Sequence, residues 1–214
     1  TSAYDPYAGN IDGDRVDKIV YRDISTSNLT YYNPATDTST DLGREIDGAI
    51  VCDDFDDDGI DEIAYIRTST GEIEIYDVVD DSTIVSGNTA KADGLTAGDI
   101  DADGIPEVVY YDTGTRPTNV RIYDPIDDTT EYANYEDGKT RLHTADINGD
   151  GYDEIFIYTD SNAINVYYPS DDSVEGIVSG VYGGFSAGDV DGDGDAEFVY
   201  SGEGESNNKL GIYD

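Results

Sequence analysis

The chain has 214 residues, with 49 acidic and 11 basic side chains and a formal net charge of −38. No basic stripe exists to replace phosphate counterions, which excludes binding to DNA or RNA backbones, and no run of about 18 apolar residues is present to span a membrane. One cysteine, Cys52, excludes an internal disulfide, and one histidine, His143, excludes a multi-histidine metal centre.

The first element is an acidic signature, Asn10-Ile-Asp12-Gly-Asp14, followed by the β-rich run Ile19-Val-Tyr21 and the alternating run Leu29-Thr-Tyr-Tyr32. The same order returns as Asp54-Phe-Asp56-Asp-Asp58-Gly59, then Ile63-Ala-Tyr65 and Ile73-Glu-Ile-Tyr76. The third copy reads Asp99-Ile-Asp101-Ala-Asp103-Gly104, Val108-Val-Tyr110, Val120-Arg-Ile-Tyr123. The fourth reads Asp146-Ile-Asn148-Gly-Asp150-Gly151, Ile155-Phe-Ile-Tyr158, Ile164-Asn-Val-Tyr167. The fifth reads Asp189-Val-Asp191-Gly-Asp193-Gly194, Phe198-Val-Tyr200, Leu210-Gly-Ile-Tyr213. Successive signatures start 44, 45, 47 and 43 residues apart, so one unit must explain all five. A short apolar segment precedes each of the last four signatures, and a weaker fourth run follows, as in Ser82–Ser86 and Thr130–Ala133.

Period-two alternation, β-branched and aromatic residues, and turn punctuation all specify strands, and no helical period is sustained. Four strands in about 45 residues is the size of one propeller blade. A blade cannot bury both of its faces alone, and radial stacking covers them. The fold expected is all-β: a β-propeller of five four-stranded blades, the last incomplete, forming a single domain over 1–214. The Tyr that closes each third strand is expected to pack between blades with its hydroxyl at a polar edge. Cys52 and His143 are read as structural.

Three carboxylate or amide oxygens at alternate positions of a tight loop suit a hard cation, and calcium is the usual one. The loop-plus-strand pattern resembles the FG-GAP and VCBS repeats of integrin α-subunit propellers and of some lectins, over essentially the whole chain. An EF-hand is excluded, because position 12 from the first acid is Tyr65, Tyr110, Ile157 or Tyr200 where that motif needs Glu. Positions 1, 3, 5 and 9 offer side-chain oxygens, and the resemblance implies that position 7 adds a backbone carbonyl. Loop two supplies Asp54, Asp56, Asp58, Ile60 and Glu62; loop three Asp99, Asp101, Asp103, Ile105 and Glu107. Loop four supplies Asp146, Asn148, Asp150, Tyr152 and Glu154; loop five Asp189, Asp191, Asp193, Asp195 and Glu197. Four calcium sites are expected. Loop one, with Asn10, Asp12 and Asp14, departs from the pattern: position 6 is Arg15 and position 9 is Lys18. An ammonium there opposes a bound cation, so this site is expected to be weak or absent, with Lys18 pairing with Asp12 or Asp14.

Calcium loops of this kind fill at extracellular calcium levels, and the start at Thr1 fits a processed segment. The expected location is therefore extracellular, on a cell or virion surface. Four calcium ions would cancel eight charges, so most of the acidity has another origin. The low Lys count and abundant Asp resemble halophilic proteins, in which salt screens self-repulsion. The variable loops between second and third strands (22–28, 67–71, 112–119, 159–162 and 201–208) lie at the end opposite the calcium loops, where binding of a glycan or protein ligand is expected. No nucleophile motif or distinctive acid–base pair appears, so a non-catalytic binding or adhesion module is expected. The alternative is a structural subunit of a surface layer or filament that self-associates through the open edge of its last blade.

Overall fold

A computed structural model describes residues 6–112, 119–136, 141–159, 161–202 and 209–213. Most of the expected loops at 112–119 and 201–208, and Asp160 within the loop at 159–162, lie outside the described residues. The described chain is all-β: 17 strands in antiparallel sheets and no helix.

Unit one pairs β1 (Tyr7–Gly9), β2 (Lys18–Arg22), β3 (Asn28–Asn33) and the first half of β4 (Thr38–Asp53) in sequential order. Strand β4 does not stop there. Thr38–Glu45 pairs with β3, and Ile46–Asp53 pairs with β5 (Glu62–Arg67), the second strand of unit two. Unit two adds β6 (Glu72–Asp77) and the first half of β7 (Ser82–Gly98). The second half of β7 opens unit three, which continues through β8 (Glu107–Asp112), β9 (Asn119–Asp124) and β10 (Thr129–Glu136). Unit four is β11 (Leu142–Ala145), β12 (Glu154–Tyr158), β13 (Ala163–Tyr168) and β14 (Ser173–Ser179). Unit five is β15 (Val181–Gly188), β16 (Glu197–Gly202) and β17 (Lys209–Tyr213). The hydrogen bonding thus gives one ten-stranded sheet, one of four strands and one of three, and none closes on itself.

Both long strands change partner without a gap, between Glu45 and Ile46 in β4 and between Thr89 and Ala90 in β7, and a shift in register follows each change, between Ile46 and Ile50 and between Ala90 and Leu95. Gly43 (φ 67°) and Gly48 (φ 110°) supply left-handed residues along β4 that a side chain would strain. The bend lets one strand serve two units without a connecting loop.

Units two, three and four each bury two faces, because alternate side chains point to opposite sides of a strand. One face, here called forward, meets the next unit; the rear face meets the preceding one. Ile11, Val20 and Leu29 of unit one pack on Ile50, Ile63, Tyr65 and Tyr76 of unit two. Phe55, Ala64, Ile73 and Ile75 of unit two pack on Leu95, Val108, Tyr110 and Tyr123 of unit three. Ile100, Val109 and Val120 meet Ile155, Ile157 and Tyr167, and Phe156, Ile164 and Val166 meet Phe198. The Phe156 and Phe198 rings stack at 4.4 Å between centroids. Four cores therefore join five units in series.

Three of the five closing tyrosines are buried between units, and Tyr32 and Tyr213 are only partly buried. Tyr76, Tyr123 and Tyr167 are buried between units, and their hydroxyls donate to Asp81, Asp128 and Asp172 at 2.9, 3.1 and 3.2 Å. Tyr32 does the same to Asp37 at 3.0 Å. All four aspartates are left-handed, with φ of 50–56°, so each tyrosine pins the turn that reverses strand three into strand four.

Candidate metal centre

The acidic loops lie between the first and second strands of each unit and are built alike. The residues at positions 4 and 6 are left-handed in all five loops. At position 6 these are Gly59, Gly104, Gly151 and Gly194, with Arg15 in loop one; position 4 is Gly13, Asp57, Ala102, Gly149 or Gly192. Two left-handed residues one apart coil the loop so that its side-chain oxygens turn inward. The position-5 carboxylate accepts from the position-7 N–H in all five: Val16, Ile60, Ile105, Tyr152 and Asp195, at 2.8–3.1 Å. The position-9 carboxylate accepts from the position-2 N–H in loops two to five: Phe55 to Glu62 at 2.9 Å, Ile100 to Glu107 at 2.7 Å, Ile147 to Glu154 at 3.0 Å and Val190 to Glu197 at 2.7 Å.

Ligand-capable oxygens gather in three of these loops. Asp54, Asp56 and Asp58 form one group with oxygens within 4.8 Å of one another; Asp99, Asp101 and Glu107 form a second; Asp189, Asp191 and Glu197 form a third. Several acidic groups are thus placed to hold a metal ion. In loop four, Asn148 turns its amide nitrogen to Glu154 Oε1 at 2.9 Å, while its amide oxygen accepts from the Asp150 N–H at 2.9 Å. Asp77 is an addition that the loop pattern alone misses. It groups with Asp56 and Glu62 within the same 4.8 Å, is buried, and belongs to the end of strand three. The signal was the acid that follows the closing tyrosine, at Asp77 and again at Asp124.

Bringing these carboxylates together shifts their protonation. Burial, then Asp56 and its loop neighbours, pushes Glu62 up to about 8. Burial and the aspartates of loop three push Glu107 up to about 8, and Glu154 rises to about 7 for the same reasons. Burial also raises Asp56 and Asp101. The loops therefore carry more negative charge than their surroundings accommodate.

Loop one resolves the same conflict internally. The Lys18 side chain is 0 % exposed, and its ammonium donates to Asp12 Oδ1, Asp14 Oδ1 and the Val16 carbonyl, each at 2.6 Å. These oxygens belong to positions 3, 5 and 7. Burial alone lowers the Lys18 pKa, but its hydrogen bonds to Asp12 and Asp14 and their charges outweigh it and the net shift is upward. A covalently attached cation sits among the oxygens that the other loops leave to one another.

A latch joins loop two to loop one, loop four to loop three and loop five to loop four; at position 8 of loop three stands Pro106, which has no N–H to give. Asp61, position 8 of loop two, accepts from the Asn10 N–H at 2.7 Å and donates its own N–H to the Asn10 carbonyl at 3.3 Å. Asp153 does the same to Asp99, at 3.2 and 2.7 Å, and the Ala196 N–H reaches the Asp146 carbonyl at 3.0 Å. Burial raises Asp153 to about 6.

The two singular residues are structural in setting. Cys52 is buried, and burial, then Asp61 and Asp53, pushes its thiol up. Burial lowers the His143 pKa, and its Nε2 has no hydrogen-bond partner. At the end opposite the acidic loops, a cavity of about 520 Å³ opens between units one and two, lined by Leu42, Arg44, Tyr65, Arg67, Ser69 and Glu74 among others. The buried Glu74 carboxylate accepts from Tyr65 Oη at 2.5 Å and from Arg67 Nη1 at 2.6 Å, and the Arg44 guanidinium lies 3.6 Å above the Tyr76 ring.

Fold and site together define an all-β repeat protein with acidic, cation-suited loops. No protein-family model matches the chain, and no curated protein matches it. Among solved structures it is similar to an exotype rhamnogalacturonan lyase, YesX, with a TM-score of 0.54 and 18 % identity. The likeness covers 100 % of this chain and 47 % of that one, so the chain spans about half the length of that structure. At this identity the likeness concerns the fold; the lyase activity belongs to YesX.

Proposed function

We propose that the chain is a calcium-stabilised, non-catalytic binding module built from propeller blades of the FG-GAP/VCBS kind, working outside the cell. The observation that carries the reading is Lys18. Where position 9 is Lys, its ammonium lies 2.6 Å from the oxygens of positions 3, 5 and 7; where position 9 is Glu, a divalent ion supplies the missing charge. Oxygen donors in a flexible, multidentate loop suit calcium better than magnesium, which demands tighter octahedral geometry. The role of the ion is to hold the turn between first and second strands, so binding and folding are coupled.

Raised carboxyl pKa values often mark catalytic acids, but here they belong to the position-9 glutamates turned into the loops. That supports a scaffold rather than an enzyme. The ligand, a glycan or a protein, would bind at the opposite end, where the cavity between units one and two offers guanidinium, phenol and carboxylate groups. Calcium counting on dialysed protein tests the metal reading: four ions per chain are expected, and none taken up would overturn it. A glycan array probed in calcium and molar salt tests the ligand reading. Retained glycan binding after Arg67→Ala and Tyr65→Phe would move the ligand site elsewhere.

A further inference from the structure

Two joints of the series set equivalent residues against each other with different charge. At the joint between units two and three, Asn88 crosses from β7 to Thr130 Oγ1 at 3.0 Å. The Arg121 guanidinium donates to Asp112 Oδ2 there, from Nε at 2.8 Å and from Nη2 at 2.7 Å. These three side chains carry no net charge. At the joint between units one and two, Arg44 stands where the repeat places Asn88, Arg67 where it places Asp112, and Glu74 where it places Arg121. The Arg67–Glu74 pair, at 2.6 Å, is the Asp112–Arg121 pair with its polarity reversed. Arg44 is then an additional cation, so two guanidiniums face one buried carboxylate.

That carboxylate is already taken. Glu74 accepts from Arg67 Nη1 at 2.6 Å and from Tyr65 Oη at 2.5 Å. The Arg44 side chain is 24 % exposed. Its face covers the Tyr76 ring at 3.6 Å, and Nη1 donates to Tyr65 Oη at 3.3 Å. Among the described residues the one carboxylate within 4.0 Å of it is that of Asp81, at 4.0 Å and 84 % exposed. A guanidinium largely removed from water, with no carboxylate in hydrogen-bond contact, has lost hydration without a matching anion. Arg44 lines the cavity of about 520 Å³ together with Arg67, Tyr65 and Ser69. Glu45, the other acid of the lining, is exposed. Gly43 also lines the cavity, and a Cβ built on it meets nothing within 4 Å, so the space reaches the backbone of the bend in β4.

We propose that this cavity takes an acidic glycan, with a uronate carboxylate of the ligand on the edge of Arg44. The inference rests on the reading of this cavity as the ligand site, and not on calcium. A planar carboxylate matches the fork of a guanidinium and pairs with it through two N–H groups. The volume falls in the range of small-molecule sites, which suits one or two sugar rings; an extended peptide is held along a groove or a sheet edge instead. Ser69, Tyr65 and the exposed Glu45 offer hydrogen-bond partners to ring hydroxyls. The net charge of −38 repels any anion at long range. At molar salt the screening length is about 3 Å, which suppresses that repulsion and spares a hydrogen-bonded pair in contact.

The test is titration calorimetry of the full chain in calcium and molar salt. The probes are a uronic acid tetrasaccharide, the same tetrasaccharide with its carboxylates methyl-esterified, and a glutamate-rich peptide. Wild type is expected to bind the acid about tenfold or more tightly than the ester, the difference between a charged and a neutral hydrogen-bond acceptor. Arg44→Gln is expected to abolish that preference and leave ester binding in place, and Arg44→Lys to retain part of it. Equal binding of acid and ester, binding of neither, a preference that survives Arg44→Gln, or tighter binding of the peptide overturns the proposal. An unchanged melting temperature confirms that the variants fold, and the comparison of acid with ester on wild type decides without them. Tyr65→Phe separates the two readings. If acid and ester bind equally and both are lost in that variant, this inference fails and the cavity stays the ligand site; if neither is weakened there or in Arg67→Ala, the ligand lies elsewhere and both readings fail.

Discussion

Replacing Lys18 by Glu gives loop one the position-9 carboxylate of loops two to five, with Asn10 and Arg15 left in place. In chelator, the substitution removes an ammonium that is 0 % exposed and donates three hydrogen bonds at 2.6 Å. Removing one partner of a buried ion pair costs about 3–5 kcal/mol. Asp12 and Asp14 remain partly exposed, so the lower end, about 3 kcal/mol, applies. At about 2–4 °C per kcal/mol for a chain of this size, Tm in chelator should fall by roughly 6–12 °C. Calcium at about 100 times its dissociation constant would return about 2.7 kcal/mol, and the ion count should rise by one. Calorimetry with and without calcium, beside metal analysis, reads both effects. An unchanged Tm in chelator together with an unchanged count would refute the idea that Lys18 substitutes for a metal ion.

Two further outcomes follow from the same geometry. In chelator, Glu62 and Glu107 hold protons up to about pH 8 in the folded state, against 4.5 ordinarily. The folded state binds more protons, so stability should fall as pH rises from about 4.5 to about 8, by roughly 2 kcal/mol per site once solvent screening is allowed for; calcium should flatten the slope, and a Tm that rises over this range in chelator would contradict the shifts. Cys52 is buried with its thiol pushed up, so a thiol reagent at pH 8 should label it only as the protein unfolds, and rapid labelling of native protein would show that the unit-one to unit-two core opens.

Much of this was legible in the sequence. The second and third strands of every unit fall where alternation and closing tyrosines place them, because apolar and aromatic residues at period two and a fixed turn chemistry specify them. The loops were legible because position 6 demands glycine or tolerates strain, as Arg15 at φ 67° does. The continuity of β4 and β7 was not, since Leu42-Gly-Arg44 looks like a turn, whereas Gly43 there only bends the strand. Asp77 was missed because its partners are 15 and 21 residues away, across the hairpin. The latch residues Asp61 and Asp153 were missed because they look like one more acid in an acidic loop.

Strand β4 is the outer strand of one unit and the inner strand of the next, and β7 repeats the arrangement. No slack segment lies between the first three units, so they have no hinge. A pull along the chain would load backbone ladders of neighbouring units together and in shear, rather than peel one hairpin at a time. The first three units should yield as one mechanical element. Units four and five, separated by the single left-handed Gly180 between β14 and β15, have a place to part.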